Sequence, residues 1–193
     1  MLTFAIDAIA VSPADVVAAE MRALGNVLDA VASNRFRIMA GTLAHLDSKL
    51  IVTGVGKSGI VARKIAATLA TCGVSAVFID PTQLAHGELG AIRAADVVLM
   101  ISQSGETAEL TRLLPSLPSV VFTIVGNASS TLGQLYSLAT GCTEEPFAEI
   151  PTASSAAAVA IGDALAVTVA QLKKLDKGQL RAYHPGNREL VAR

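Results

Sequence analysis

A chain of 193 residues has the size of one domain that buries a complete hydrophobic core. Its net charge is −1 and only 4% of its residues are aromatic, which argues against nucleic acid or an anionic membrane as a partner. The hydrophobic fraction of 52% is high for a monomer, so we expect surface to be buried between subunits.

Cysteine usage and the N-terminus predict a reduced, cytoplasmic protein. Cys72 and Cys142 are far apart and have apolar neighbours, which favours buried thiols over a disulfide. No Lys or Arg precedes Arg22, so the N-terminus lacks the basic region of a signal peptide. The most apolar stretch, residues 153–172, contains polar and small residues that are typical of a helix packed in a core or an interface. These features predict a soluble protein without a membrane segment.

Two helices are predicted at the start of the chain, followed by alternating strands and helices. Ser12-Pro13-Ala14-Asp15 has the pattern of an N-cap, a proline at the first helical position and an acid in the first turn. Helical periodicity then continues to about residue 32, and a second helix covers about 35–46. Further along, the patterns predict strands near 50–54, 75–79, 96–101, 119–125 and 137–142, and helices near 57–72, 106–114, 128–136 and 153–173.

The predicted strands are nearly continuous runs of Val, Ile and Leu, which are typical of parallel strands covered on both faces. We therefore predict an α/β fold, a three-layer doubly wound sandwich with a five-stranded parallel sheet preceded by two helices. Ligands should bind beyond the carboxyl ends of the strands. No linker or repeat divides the chain, so residues 1–193 are predicted to be a single domain: leading helices at 1–47, an α/β core at 48–175 and a polar tail at 176–193.

A glycine-rich turn, Gly54-Val55-Gly56-Lys57-Ser58-Gly59, lies between the first strand and the helix that follows it. Such a turn exposes backbone N–H groups beside a positive helix end and favours phosphate binding. The pattern also matches G-x-G-x-x-G, with Asp80 where a ribose-binding acid would stand.

Three alternatives to phosphate binding are weaker. A dinucleotide site is disfavoured because Lys57 and Ser58 fill the positions beside the pyrophosphate and the chain is too short for a catalytic domain. A P-loop requires a glycine where Ile51 stands. Packing alone would explain Gly54 and Gly56 but not Lys57. A phosphate or sugar phosphate is the favoured ligand.

A second turn, Ser102-Gln103-Ser104-Gly105-Glu106-Thr107, follows the predicted strand at 96–101. Its hydroxyls have a structural alternative, since Ser and Thr are favoured caps for a helix that begins near Glu106. A cap requires one hydroxyl, however, and this turn has three around a glycine. Neutral donors in that arrangement suit the several oxygens of a monophosphate.

Several sequence blocks in order make the chain resemble a sugar isomerase (SIS) domain and, within that superfamily, the arabinose-5-phosphate isomerases. The resemblance covers about residues 50–187. Besides the two turns, it rests on Arg63-Lys64-Ile65-Ala66-Ala67-Thr68, Ala85-His86-Gly87-Glu88-Leu89-Gly90, Pro151-Thr152, Gly162-Asp163-Ala164-Leu165-Ala166-Val167 and His184-Pro185-Gly186.

The resemblance implies a flavodoxin-like SIS fold and the reversible conversion of D-ribulose 5-phosphate to D-arabinose 5-phosphate through an enediol. That reaction is the entry step toward the eight-carbon sugar of outer lipopolysaccharide or capsule, and it uses no cofactor and no metal. The resemblance also implies a cytoplasmic homotetramer whose active sites are shared between subunits, in agreement with the apolar composition.

The sequence departs from the family pattern in four places. The pair of CBS domains that usually follows the His-Pro-Gly segment is absent from a chain that ends at Arg193, so nucleotide regulation through them is expected to be lost. Thr143 stands where the family has an acid, with Glu144 and Glu145 directly after it as substitutes. Asp80 replaces a histidine that binds inhibitory metal, and Asn187 replaces the second glycine of His-Pro-Gly-Gly.

Aldose–ketose isomerisation requires a base near C1 and C2, a group that stabilises the oxyanion, and an anchor for the phosphate. Lys57 is the candidate for charge stabilisation, Glu109 is the candidate base and Glu144 is its alternative. His184 is the candidate for ring opening or proton transfer, also toward a neighbouring subunit, and His86 for orienting a sugar hydroxyl or sharing the acid–base work. The candidate phosphate- and substrate-binding residues are Gly56, Ser58, Ser102, Gln103, Ser104, Gly105 and Thr107.

These residues also have structural alternatives, and the chain has alternative functions. Glu109 is also favoured as an acid at a helix N-terminus, and Glu144 and Glu145 as ordinary loop charges. Asp163 lies in an apolar helix, so it should have a structural partner. The alternative functions are a non-catalytic sugar-phosphate sensor and an isomerase of hexulose 6-phosphate or sedoheptulose 7-phosphate.

Overall fold

One parallel sheet lies between two layers of helices in the computed structural model, which describes residues 10–117, 120–148 and 150–185. The strands are Lys49–Gly54 (β1), Ser75–Phe78 (β2), Val97–Ser102 (β3), Val120–Val125 (β4) and Tyr136–Ala139 (β5). The α-helices of the described residues are Pro13–Ala32 (α1), Asn34–Ala44 (α2), Gly56–Ala70 (α3), Pro81–Ala85 (α4), Ala108–Thr111 (α5), Ala153–Leu172 (α6) and Lys177–Ala182 (α7).

The sheet has the order β2-β1-β3-β4-β5, and every pair of neighbouring strands is parallel. The chain therefore runs from β1 outward to β2 and returns to β3 on the other side of β1. Such a reversal of strand order opens a crevice at the carboxyl ends of β1 and β3, where α/β proteins bind their ligands. The five-stranded parallel sheet and the two leading helices confirm the predicted fold class.

Each face of the sheet has its own hydrophobic core. Leu50 and Val52 of β1 pack with α1, α2, α3 and α6, whereas Ile51 packs on the opposite face with the layer that contains α4 and α5. Because alternate side chains of a strand point to opposite faces, an apolar run fills both cores at once. The three-layer arrangement follows from this burial.

Helix α6 is apolar because it is packed inside the fold. By length and composition alone α6 could cross a membrane, but half of its most apolar stretch is buried inside the protein. A Cβ at Gly162 would lie 2.3 Å from Cγ1 of Ile65, so the small residue is what lets α6 approach α3. Asp163 forms an ion pair with Lys64 of α3, which is the structural partner that the sequence required.

Two local predictions are confirmed in detail. Ser12 accepts a hydrogen bond from the backbone N–H of Asp15 at 3.2 Å, and its own hydroxyl donates to the Asp15 carboxylate at 2.7 Å. This reciprocal cap fixes the start of α1. Cys72 and Cys142 are both buried, free thiols.

The helix predicted over 128–136 is wrong, because the residues from 128 to the start of β5 form turns. Asn127 Oδ1 accepts from the backbone N–H of Ser129, and Ser130 Oγ accepts from the N–H of Gly133. Side chains thus take the backbone donors that a helix would use. A Cβ at Gly133 would lie 2.5 Å from the carbonyl oxygen of Asn127, which makes glycine necessary for so tight a turn.

Other boundaries also differ from the prediction. The helix predicted over 106–114 is limited to α5 and is followed by a 3-10 turn at Leu114–Ser116, where Pro115 has no N–H to continue an α-helix. The short helices α4 and α7 were not predicted. Gly186 and Asn187 of the His-Pro-Gly segment lie outside the described residues.

Candidate functional site

A cleft of about 1100 Å³ opens at the carboxyl ends of the central strands, at the reversal of strand order between β1 and β3. It lies where the topology predicts a ligand, and its volume is that of a small-molecule site. Both turns singled out in the sequence contribute to it. The predicted site residues that line it are Lys57, Ser58, Ser102, Gln103, Ser104, Thr107 and Glu144.

In the first turn the glycines allow the backbone conformation, and Lys57 and Ser58 line the cleft. A Cβ at Gly54 would lie 2.9 Å from the carbonyl oxygen of Ser58, and one at Gly59 would lie 2.7 Å from that of Gly54. These two glycines therefore permit close packing of α3 on the sheet, and Gly56 is needed for its φ of +58°. Lys57 is exposed and lines the cleft at the N-terminal end of α3, where the helix dipole adds to its positive charge.

In the second turn the hydroxyls form a connected group. Ser102 Oγ lies 2.8 Å from Thr107 Oγ1 and accepts from the N–H of Gly105 at 3.0 Å. Ser104 Oγ accepts from the N–H of Glu106 at 3.1 Å. Ser102 Oγ also lies 3.5 Å from Ser104 Oγ. The two contacts between hydroxyls use at most two of the three hydroxyl protons, which leaves at least one to donate into the cleft. The turn is therefore preorganised to bind an anion through neutral donors.

The turn at 127–133 supports this second turn from behind. Leu132 donates its N–H to the carbonyl of Gly105 at 3.1 Å. Thr131 donates its N–H and its hydroxyl to the Glu106 carboxylate at 2.6 and 2.8 Å. These two hydrogen bonds lower the pKa of Glu106, the backbone one more strongly. The Glu106 carboxylate thus binds Thr131 and holds the turn at 102–107 against the turn at 127–133.

Residues 142–145 form one wall of the cleft, and they include Glu144. The next residue, Glu145, accepts hydrogen bonds from Thr152, Ala153 and Ser154 at the start of α6. Burial alone would raise the pKa of Glu145, but these hydrogen bonds outweigh burial and keep its pKa below the ordinary value. Glu145 is therefore ionised, and both of its oxygens are bound to the start of α6. Glu144 and Glu145 both line the cleft, and Glu144 is the candidate base of the two.

Three of the predicted catalytic residues do not line the cleft of the single chain. Glu109 is exposed on α5, and His86 is exposed at the end of α4. His184 is exposed after α7, with Nδ1 3.0 Å from the carbonyl oxygen of Leu180. Gly56 and Gly105 belong to the two turns but shape their backbone. The described part of one chain thus brings together the phosphate-type donors, Lys57 and Glu144, without Glu109 and the two histidines.

The structure also bears on the other ligands weighed from the sequence. Asp80 accepts a hydrogen bond from the N–H of Thr82 at 2.9 Å and caps α4, so its carboxylate is used structurally instead of for a ribose. Within residues 10–117, 120–148 and 150–185, no group of three His, Cys, Asp or Glu side chains could hold a metal ion.

Sequence analysis missed several cleft residues on the later strands. Gly126 and Asn127 follow β4, Thr140 follows β5, and Ser154 and Ser155 lie in the first turn of α6. Their signal is position: polar residues directly after the strands of a parallel sheet share the edge where ligands bind.

The part of the chain that contains all five strands is similar to known proteins. A family model described as SIS domain matches residues 43–169. Arabinose 5-phosphate isomerase KpsF of Escherichia coli O6:H1 is 35% identical over 180 residues, which cover 88% of this chain and 54% of KpsF. Arabinose 5-phosphate isomerase GutQ of Salmonella typhi is 36% identical over 153 residues, covering 76% of this chain and 48% of GutQ. The chain spans about half the length of the curated relatives it matches.

A solved structure extends the similarity to the fold. A protein of Escherichia coli CFT073, solved in complex with A5P, superposes with a TM-score of 0.82 at 34% identity. The alignment covers 89% of this chain and 95% of that chain. Both turns lie within residues 43–169, the part of the chain that the SIS family model matches.

Proposed function

The chain belongs to the SIS domain family, and from this membership we propose that it is an aldose–ketose isomerase that interconverts D-ribulose 5-phosphate and D-arabinose 5-phosphate. One observation carries the proposal: the lysine-bearing turn after β1 and the hydroxyl-rich turn after β3 meet in one cleft at the reversal of strand order. The A5P bound to the Escherichia coli relative supports the choice of substrate.

In the proposed complex the phosphate lies in the turn at 102–107. The hydroxyls of Ser102, Ser104 and Thr107 have at least one proton to donate, and Ser58 supplies a further hydroxyl from the opposite turn. Because these donors are neutral, they bind a dianion without the desolvation cost of a buried cation. Gln103 is tied to the carbonyl of Cys142 at 2.7 Å and orders the turn instead of binding the phosphate directly.

The proposed chemistry moves one proton between C1 and C2 of the open-chain sugar. A base removes the proton from C2 of the aldose, and the carbonyl electrons move to O1 to give an enediolate. A proton passes from the C2 hydroxyl to O1, and the base returns its proton at C1 as the C2 oxygen becomes the carbonyl. Lys57, at the N-terminal end of α3, stabilises the negative oxygen. Glu144 is the candidate base within the cleft of the same chain, and Glu109 is the candidate base if another subunit brings it there.

We further propose that the site is completed in a homotetramer, with His86, His184 and Glu109 serving neighbouring subunits. Their exposure outside the cleft of the single chain supports this arrangement. A second observation is an apolar stripe on α1 formed by Val17, Met21, Leu24 and Leu28, which are 42–68% exposed and recur at helical spacing. A stripe of this kind on an outer helix is typical of a helix–helix interface.

The free, buried thiols support the cytoplasmic location that is part of the proposal. The product would supply the eight-carbon sugar of outer lipopolysaccharide or capsule, as the family resemblance implies.

The activity is tested by incubating the purified chain with ribulose 5-phosphate in D₂O and recording proton NMR spectra. We expect arabinose 5-phosphate with deuterium at C2, because the enediol exchanges its proton with solvent. Hexulose 6-phosphate and sedoheptulose 7-phosphate are tested in parallel, and turnover of one of these alone would reassign the substrate. Binding of ribulose 5-phosphate without any turnover would favour the sensor function.

The shared site is tested by mixing two inactive variants, Lys57→Ala and His184→Ala, after partial dissociation. If the two residues of one site come from different chains, a hybrid pair contains one site with both residues intact. Random pairing then restores about a quarter of the wild-type activity. No restoration, with hybrids demonstrated by a mass tag on one variant, would place both residues of a site in the same chain.

A further inference from the structure

Glu145 is the most extensively hydrogen-bonded carboxylate described for the cleft, although it is not a base candidate. One oxygen, Oε2, accepts from the N–H of Thr152 at 3.0 Å, from its hydroxyl at 3.3 Å and from the N–H of Ala153 at 2.9 Å. The other, Oε1, accepts from the N–H of Ser154 at 3.2 Å and from the Ser154 hydroxyl. Thr152, the N-cap residue of α6, makes no capping bond with its own side chain, so Glu145 caps this 20-residue helix from seven residues upstream.

The same segment is anchored at its other end to the phosphate-type turn. The carbonyl of Cys142 accepts from Gln103 Nε2 at 2.7 Å, and the N–H of Cys142 donates to Thr140 Oγ1 at 3.2 Å. Thr143 and Glu144 therefore stand between two fixed points, one on the turn after β3 and one on α6. Both of these intermediate residues line the cleft.

We propose that Glu145 is a positioning residue for the sugar end of the substrate. Its carboxylate holds the wall formed by residues 142–145 against α6, so that Thr143 and Glu144 face the carbon atoms of a sugar whose phosphate lies in the turn at 102–107. The inference rests on the proposed function and adds a residue to it. The wall contacts the sugar, and Glu145, whose two oxygens are bound to the start of α6, acts by holding that wall in place.

The geometry separates the sugar end from the phosphate end. The phosphate turn has its own supports, since Leu132 donates to the carbonyl of Gly105 and Thr131 binds the Glu106 carboxylate. Loss of the Glu145 network should therefore disturb the wall and leave the phosphate donors in place. A carboxylate that only stabilised the fold would affect both ends equally.

The test compares two probes, inorganic phosphate and arabinose 5-phosphate, by titration calorimetry on the wild-type chain and on Glu145→Gln. The amide has one acceptor oxygen, and its NH₂ group would face the N–H donors of Thr152 and Ala153, so half of the network is lost. We expect affinity for arabinose 5-phosphate to fall about tenfold, as for the loss of one good hydrogen bond, and affinity for phosphate to stay unchanged. The kcat should fall with it, because a displaced wall also misplaces Glu144.

The matched control is Asp15→Asn, which removes a carboxylate from the cap of α1, a helix of the same length outside the cleft. It should change neither affinity. Thr152→Val removes one hydroxyl donor to Glu145 and retains the side-chain shape, and it replaces Glu145→Gln if that variant does not fold. Its expected loss is about threefold for arabinose 5-phosphate alone.

Equal weakening of both probes, or no change in either, would overturn the positioning role. The proposed function itself would be overturned if the wild-type chain bound inorganic phosphate but not arabinose 5-phosphate. It would also be overturned if the wild-type chain bound neither compound. In that case the assignment of the sugar end to this wall falls as well.

Discussion

Replacing Gly105 with alanine tests how the turn at 102–107 is held, because this glycine touches the turn that supports it. Gly105 has a φ of +69°, and a Cβ there would lie 1.8 Å from Ser130 Oγ and 2.6 Å from Ser130 Cβ. A contact of 2.6 Å between two carbon atoms cannot be relieved by rotating the serine side chain alone. The backbone of one of the two turns must move.

The expected cost follows from three contributions. Alanine at a left-handed φ costs about 1–2 kcal/mol. Ser130 Oγ donates to the carbonyl of Asn127 at 2.6 Å and accepts from the N–H of Gly133 at 3.0 Å, and disrupting these two buried bonds costs about 1 kcal/mol each. The displaced backbone adds to this, so Gly105→Ala should lower the free energy of unfolding by about 3–5 kcal/mol, a large share of a typical domain's stability.

The assay is urea unfolding of Gly105→Ala and of Gly105→Ala/Ser130→Gly, each compared with its own parent. In the Ser130→Gly background the Cβ of residue 105 meets no serine, so only the backbone term of about 1–2 kcal/mol should remain. The KM for the sugar phosphate should rise in the single variant, because the hydroxyls of Ser102 and Ser104 move with the turn.

Equal costs of the alanine substitution in the two backgrounds would refute this reasoning, since the contact with Ser130 would then contribute nothing. A cost below about 1 kcal/mol in the wild-type background would also refute it, because it would mean that the turn tolerates the left-handed alanine and the side chain together.

Four further predictions concern charged residues of the cleft and the helix α1. Lys57→Ala should lower kcat/KM by about 10²–10³ with an unchanged urea midpoint, since the lysine is exposed in the cleft; unchanged kinetics would remove its charge role. Folding lowers the pKa of Glu145 from 4.5, so the ionised carboxylate stabilises the folded chain fully above that pH, and this stabilisation is lost as the pH falls through the lower folded pKa. Urea midpoints measured from pH 6 downward should therefore fall less steeply in Glu145→Gln than in the wild type. Thr143→Glu should not raise kcat if Glu144 is the base, and a gain above about tenfold would show that Glu144 does not fill that role. Met21→Lys, at a position 68% exposed, should dissociate the proposed homotetramer in sedimentation experiments without unfolding the chain.

The five-stranded sheet could be predicted from the sequence, because strands that are buried on both faces are short runs of apolar residues. Each strand is a short apolar run, and two of them end directly in the turns that line the cleft. The cap of α1 was also predictable, since Ser12 and Asp15 lie within one turn of each other. Interactions of this kind depend on neighbouring residues and therefore appear in a local pattern.

The 127–133 turn and the Glu145 network were not predictable for the opposite reason. The sequence predicts a helix over 128–136, but the backbone N–H groups of Ser129 and Gly133 donate to the side chains of Asn127 and Ser130. The sequence indicates Glu145 only as a substitute for the acid that Thr143 replaces. Its partners begin at Thr152 across two prolines, and no periodicity relates a loop carboxylate to the start of a later helix.

The cleft of one chain contains only part of the predicted catalytic set because of where the sheet places its residues. The residues brought together in one chain are those that follow parallel strands, because the sheet aligns the carboxyl ends of β1, β3, β4 and β5 along one edge. Glu109, His86 and His184 lie on short helices or at their ends, where no strand directs them to that edge. If all three act on the substrate, a second chain must bring them, and the apolar stripe on α1 is the exposed surface best suited to hold that chain. Catalysis and assembly would then depend on each other, so Met21→Lys should lower kcat in proportion to the fraction of dissociated chains. Full activity in the dissociated chain would instead assign the chemistry to Lys57 and Glu144 alone.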